Sequence, residues 1–422
     1  MKPPLTSGSE SAPVPGAWPH ADSRATTSST ELATGFAGRR GAVFWLALKT
    51  GLFTVLTLGL YRFWQKTRLR RWYWSAVRPG GLPLEYVGDP VEKLLGFLIA
   101  VVILAFYIGV VNLVLMFASF ALFHGSGFAY GLSLLGVVPL WFYARYRARR
   151  YVLARTRWRG LRFGMEPGAW GYAGRALWHW ALTILTVGLL WPRMTFYLEK
   201  YRTDRTSYGT ATMRQGGRWQ MLYPAAKPLF VALISALGAL ATGMAGHAAV
   251  SIGLGILAAL IGLYGVVHYR VWTLRCLTAN KTLNGVSLSL EASPLRILMI
   301  HVLGYFLAFL AIAGPAAMLG LLIVMLQSAD TLNDLGVGEE MAVLSALPGW
   351  IVLVASMLLY FCIFLLWSAL THTFITLPVM RHYARGLTVH GAQHLEDLRQ
   401  RDRDEVPQAE GFAEALDVGA SI

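Results

Sequence analysis

From residue 41 the chain alternates long apolar runs with short stretches rich in arginine and aromatic side chains. Each long run reads as a membrane-crossing helix, because a hydrocarbon core takes about 20 residues of helix to cross. Three helical hairpins are predicted. The first runs from Leu94 to Phe123, turns at "HGSG" and returns through "LSLLGVVPLWFYA". The second runs from Leu229 to about Gly246 and back from Ala249 to Val267. The third runs from Ile297 to Leu326, passes "QSADTLNDLGVGEEMAVLSALPG", and returns from Trp350 to about Pro378.

Two shorter apolar segments, 42–61 and 176–192, lie between basic flanks. If the second crossed once, Arg193, Lys200, Arg202, Arg205, Arg214, Arg218 and Lys227 would lie on the wrong side under the positive-inside rule. Both are therefore expected to be re-entrant or interfacial, entering and leaving on one side. The loop of the third hairpin carries four carboxylates and no Lys or Arg, whereas the hairpin flanks are basic. That asymmetry predicts an extracytoplasmic loop and cytoplasmic termini.

The basic stretches resemble one another. "TLGLYRFWQKTRLRRWYWSAVR" from Thr57 and "TVGLLWPRMTFYLEKYRTDRTS" from Thr186 align without a gap as far as Gly80 and Gly209. Looser copies are "ARYRARRYVLARTRWRGLRF", "YRVWTLRCLTANKTLNGVSL" and "MRHYARGLTVHGAQHL". Each contains [T/R]-x-x-G, ending at Gly81, Gly160, Gly209, Gly285 and Gly391. A unit then reads as an apolar helix, a basic aromatic stem, a helix-breaking glycine and a short run of strand period such as "LPLEYVG" or "VSLSLEA". The predicted fold is a mainly α-helical membrane protein. It has three transmembrane hairpins, two short re-entrant or interfacial segments and a small cytoplasmic β layer built from collar units.

Composition agrees with a membrane chain: 55% of residues are hydrophobic and 14% charged, against about 25% charged in soluble domains. Between Arg62 and Arg296 there are 27 Lys/Arg and 7 Asp/Glu. These cations flank apolar spans instead of clustering in a soluble domain, which points to lipid headgroups and away from nucleic acid. Arg68, Arg70, Arg71, Arg147, Arg149, Arg150, Arg202 and Arg205 are the candidate headgroup- or anion-binding residues, against the plainer reading of orientation and snorkelling. Residues 1–40 and 396–422 read as disordered tails around a membrane domain of 41–395.

Candidate chemistry is sparse. The predicted spans hold no Asp or Glu, which lowers the prospect of acidic-residue proton coupling. His301 and His372 lie at similar depth beside Thr371 and Thr373, a candidate intramembrane polar site. The plainer reading has each histidine bonded to nearby hydroxyls or backbone. His390 and His394 would share a face if helical, but without a third ligand they make no metal site. Cys276 and Cys362 are too differently placed to pair, and no catalytic motif, metal site or cofactor site is expected.

The stretch "GLFTVLTLGLYRFWQKTRLRRWYWSAVRPGGLPLEYVGDPVEKLLGFLIA", with "TRWRGLRF" later, resembles the YjgN family of bacterial inner-membrane proteins, over roughly residues 41–395. The resemblance implies a multi-pass inner-membrane protein of uncharacterised function and supplies no catalytic residues. "AVRPGG" and "TANKTLNG" depart from the family's Asn-Thr-Arg-Leu-Gly-like form. The expectation is a non-catalytic membrane organiser whose collars bind anionic lipid headgroups, a membrane-protein partner or another copy of the chain. The alternative is a channel or transporter using the re-entrant segments; a lipid-acting enzyme lacks a nucleophile or metal constellation.

Overall fold

The computed structural model describes residues 31–123, 137–327 and 348–401. It is mostly helical, with antiparallel β structure gathered at one end of the helices. Five helical stretches are long and apolar enough to cross a membrane: Pro90–Ala118, Trp219–Met244, Ala248–Ala279, Pro294–Ile323 and Gly349–Gly386. Only 11–17% of the most apolar window in each is buried against protein, so lipid is left to cover the remainder. The expected return of the first hairpin and the acidic loop of the third lie wholly or partly outside the described residues.

Helix and strand alternate in a fixed order. Strand β1 (Glu31–Phe36) leads into α1 (Arg40–Leu56) and α2 (Arg62–Ala76), which delivers β2 (Val77–Pro79) and β3 (Glu85–Tyr86). Next come α3 (Pro90–Phe123), α4 (Val137–Ala154), β4 (Thr156–Trp158) and β5 (Leu161–Met165). A second pair of shorter helices, α5 (Ala169–Leu185) and α6 (Trp191–Thr203), delivers β6 (Thr206–Tyr208), β7 (Ala211–Thr212) and β8 (Arg214–Gln215). Helices α7 (Tyr223–Met244) and α8 (Ala248–Ala279) pack along each other and deliver β9 (Lys281–Leu283) and β10 (Val286–Leu290). Finally α9 (Pro294–Gln327) packs on α10 (Gly349–Thr371), which continues through a π-helical turn at His372–Thr376 into α11 (Leu377–Gly386) and β11 (Leu387–His390).

The strands form sheets in the orders β2-β1-β11-β10-β9-β8 and β3-β4-β5-β6-β7. Two links join the sheets. Residues 211–215 run on from β7 to β8, pairing with β6 at one end and β9 at the other. At the opposite edge the Leu84 amide donates to the Val77 carbonyl, 3.1 Å away, making a hairpin of β2 and β3. Together they form a closed ring with an apolar centre that takes Leu32, Trp158, Phe163, Tyr208, Leu283 and Val389 from both sheets. Closure removes the free edges that short strands would otherwise expose.

Each of the five motif glycines sits in the left-handed region: Gly81, Gly160, Gly209, Gly285 and Gly391 have φ between 55° and 85°. This conformation turns the chain directly after a strand without a Cβ penalty. The tail expected over residues 1–40 is corrected at its end. Glu31–Phe36 are a strand, because β1 supplies the partner that β2 and β11 would otherwise lack. The boundary at 396 moves too, since residues 399 and 400 bond the ring: the Thr210 amide donates to the Arg399 carbonyl at 3.0 Å, and the Arg162 amide to Gln400 Oε1 at 3.0 Å.

The segments 42–61 and 176–192 fold as paired helices with the same turn. Gly59 N–H donates to Thr54 O at 2.7 Å and Gly188 N–H to Thr183 O at 2.8 Å. The hydroxyls of Thr57 and Thr186 accept the amides of Tyr61 and Leu190 at 2.9 and 3.3 Å. Leu58 and Val187 occupy corresponding left-handed positions, φ 51° and 50°, an uncommon conformation for a β-branched residue such as Val187. The turns bond much of their own backbone while presenting apolar side chains outward, with Leu58 96% and Leu185 79% exposed.

Candidate functional site

Beside the β ring lies a buried ion cluster centred on Glu199 of α6. Its carboxylate takes Arg202 at 2.5 Å, Lys281 of β9 at 2.8 Å and Arg149 of α4 at 3.5 Å, so it joins three parts of the fold. Burial alone would raise the pKa of this acid. Arg202, Arg149 and Lys281 outweigh that and hold it well below the usual carboxylate range. A neighbouring link runs from Lys200 Nζ to Asp204 at 2.9 Å, while Asp204 Oδ1 accepts the Gln215 amide at 2.8 Å.

Several of the sequence-derived basic candidates have internal partners. Arg149 and Arg202 belong to the Glu199 cluster. Arg70 is 3% exposed and reaches Tyr86 Oη at 3.2 Å, whereas Arg71 donates to the Gly88 carbonyl at 2.8 Å. Arg150 donates to the Met165 carbonyl at 2.9 Å and Arg147 to Tyr143 Oη at 2.9 Å. The guanidinium of Arg205 lies 3.7 Å from the Tyr201 ring centroid. Arg68 is exposed, 5.7 Å over Tyr61. Much of the basic collar thus holds strands and helices together. Glu92 pairs with Arg155 at 2.6 Å and accepts from Tyr151 Oη at 3.0 Å.

The intramembrane candidates have separate partners. His301 Nδ1 lies 2.8 Å from the Ile297 carbonyl one turn earlier. His372 opens the π-helical turn, with Nδ1 3.3 Å from Tyr73 Oη. Thr371 and Thr373 bond back to Trp367 and Ala369 carbonyls at 2.7 Å each. His390 and His394 do not share a helix: the first lies on β11, bonding Ser289 at 2.7 Å, and the second lies in a 3-10 turn. Among the described residues no group of three or more His, Cys, Asp or Glu is placed to hold a metal ion.

An open crevice of about 500 Å³ lies between α4, α5, α6, α7 and α8. Three of these helices run toward the strands and repeat one pattern on the crevice wall: an apolar residue, then arginine one turn later. The pairs are Trp141–Arg145 on α4, Leu198–Arg202 on α6 and Val266–Arg270 on α8. Positions i and i+4 share a helix face, so the three arginines gather at the strand-side end. The apolar end holds Trp180 and Trp191. Trp191 and Arg202 are eleven residues apart on one helix, a separation of about 16 Å. The Arg145 guanidinium lies 5.3 Å over Trp141, and Tyr269 Oη donates to Thr195 Oγ1 at 2.8 Å. Arg145 and Arg270 are exposed. Neither is among the arginines that the sequence singles out; the i,i+4 spacing of an apolar residue and arginine is the pattern that marks them.

A family model described as "Bacterial protein of unknown function (DUF898)" matches residues 31–312, from the first strand into α9. No curated protein and no solved structure matches the chain.

Proposed function

This chain belongs to a bacterial family of unknown function (DUF898) and has apolar helices suited to a membrane, and from its own geometry we propose that it is a non-catalytic membrane organiser holding anionic lipid headgroups. The YjgN resemblance is compatible with that membership, and the bacterial inner membrane with cytoplasmic termini is the location we propose. The observation that carries the reading is the crevice, whose tryptophan-lined end suits the headgroup boundary and acyl chain and whose arginines suit a phosphate. Arg202 is tied to Glu199, leaving Arg145 and Arg270 as the exposed cations.

The test is native mass spectrometry of the protein released from nanodiscs containing phosphatidylglycerol and phosphatidylethanolamine. Wild type retains phosphatidylglycerol, and the Arg145→Gln/Arg270→Gln variant loses most of it. Equal retention by both forms overturns the reading. On this reading the two paired-helix segments are re-entrant, dipping their apolar tips into the bilayer from the cytoplasmic side. Thr210, exposed at the far turn of β6 and β7, then lies inside. A Thr210→Cys variant is expected to stay unlabelled by an impermeant thiol reagent in intact cells and to react after lysis.

The matching turns at Leu58 and Val187 support a second reading, a channel or transporter in which the tips line a water path. Cysteines at Leu58 and Val187 distinguish the two readings: protection from aqueous reagent on both sides favours the organiser, whereas reaction favours a solute path.

A further inference from the structure

A recess of about 360 Å³ lies on the outer wall of the β ring, where the end of α4 and the turn into α5 meet strands β5 and β6. Side chains alternate between the two faces of a strand. Phe163 and Tyr208 enter the apolar centre of the ring, so Gly164 and Ser207, opposite each other in the register, stand on the outer wall. A Cβ on Gly164 would come within 2.7 Å of Ser207 Oγ, so the glycine keeps the floor beside that hydroxyl bare. Ser207 lines the recess, is 4% exposed, and its Oγ has no hydrogen-bond partner among the described residues. Arg155, Arg162 and Arg401 line the same recess. Arg155 is bound to Glu92 through Nε at 3.3 Å and Nη2 at 2.6 Å, which leaves Nη1 outside that ion pair. One carboxylate, Glu166, lies on the wall next to α5. It stands four residues beyond Arg162 on the same face, about 13 Å between Cα atoms, so the two ends of the recess differ in charge.

We propose that this recess binds a small soluble phosphate monoester, with the phosphate held by Ser207 Oγ–H and the arginine side and a hydroxyl-bearing end turned to Glu166. A hydroxyl and three guanidinium groups offer more donors than the two oxygens of a carboxylate accept, and the three oxygens of a terminal phosphate match them better. Glu92 and Glu166 offset two of the three cations, which suits one phosphate group and disfavours a polyphosphate. Arg145 and Ala154 are nine residues apart on α4, so the recess lies about 14 Å beyond the crevice arginine on the strand side. A lipid phosphate seated in the crevice does not reach it, and this proposal does not rest on the lipid reading.

The probes are sn-glycerol 3-phosphate, inorganic phosphate and glycerol, titrated calorimetrically into the full chain in a neutral maltoside detergent. Glycerol 3-phosphate is expected to bind saturably at one site per chain, more tightly than inorganic phosphate, and glycerol to give no binding heat. Ser207→Ala and Arg401→Gln should each weaken glycerol 3-phosphate about tenfold, the loss of one hydrogen bond to a charged group. Arg401 is exposed, so its variant reports even if Ser207→Ala fails to fold. Glu166→Gln has the opposite sign for inorganic phosphate, which binds more tightly once the repelling carboxylate is gone, and it narrows the advantage of glycerol 3-phosphate. No saturable binding by wild type, or binding unchanged in Arg401→Gln, overturns the site. An undiminished advantage of glycerol 3-phosphate in Glu166→Gln overturns the orientation. Displacement of the probe by an equal concentration of dihexanoyl phosphatidylglycerol would show a lipid headgroup in the recess and overturn the soluble monoester.

Discussion

Replacing Glu199 with glutamine is expected to cost about 3–5 kcal/mol of stability, the range for removing one partner from a buried ion pair. Glutamine keeps the shape but leaves Arg202, Lys281 and Arg149 with no countercharge at the junction of α6, β9 and α4. The side chains of Arg202 and Lys281 are 18% and 12% exposed, so water screens them little. Lys281→Met should cost less, because Glu199 would still face two guanidinium groups. Chemical unfolding in detergent micelles provides the readout; a Glu199→Gln loss below about 1 kcal/mol would show the cluster to be solvated. The pH dependence has a definite sign. The folded pKa of Glu199 is depressed, so its contribution is complete above the unfolded carboxylate value of about 4.3 and falls away as pH drops toward the folded value. Within that acid window the slope approaches about 1.4 kcal/mol per pH unit for one proton. Glu199→Gln should remove this share of the slope.

Gly386→Ala, at the last residue of α11 beside the β ring, is expected to cost more than substitution of a motif glycine, at about 3 kcal/mol, near the upper end of typical overpacking costs. A Cβ there would overlap the backbone carbonyl of Glu291, whose amide donates to the Gly386 carbonyl at 2.8 Å. Backbone cannot swing aside as a side chain can. Gly81→Ala is the useful contrast. Its φ is +83°, but a Cβ would meet nothing within 4 Å, so the cost is the left-handed strain alone, about 1–2 kcal/mol. Thermal midpoints of the two variants in the same detergent test the ordering, and equal midpoints would count against it.

Much of the helical layer is legible in the sequence, for a physical reason: a membrane helix needs a long apolar run, and long runs average out local ambiguity. The motif glycines are legible as points where the chain turns, because a left-handed turn admits few other residues, but they turn the chain after a strand and do not end the helices as the sequence suggests. The closed ring is much harder to read. Strands β3, β7 and β8 have two residues each, too few to show a period, and β1 lies in "ELATGF" beside a stretch with the composition of a tail. The basic candidates show a different limit. Charge count identifies a collar, but which arginines turn inward depends on partners distant in sequence. Arg149 meets Glu199, and Arg70 meets Tyr86, only because the fold brings them together. Arg145 and Arg270 are left at the surface by the same packing.

Ring closure also constrains biosynthesis. The N-terminal strand lies between β2 and β11, with Glu31 opposite His390. One of its edges therefore has no partner until nearly the whole chain has been made. At about 5–20 residues per second the wait for some 360 residues lasts roughly 20–70 s. Over that interval the helices must enter the bilayer while a bare strand edge stays exposed to the ribosome's surroundings. A nascent chain interrupted before Leu387 would keep two such edges, those of β1 and β10, and present a ready template for aggregation or for proteolytic surveillance.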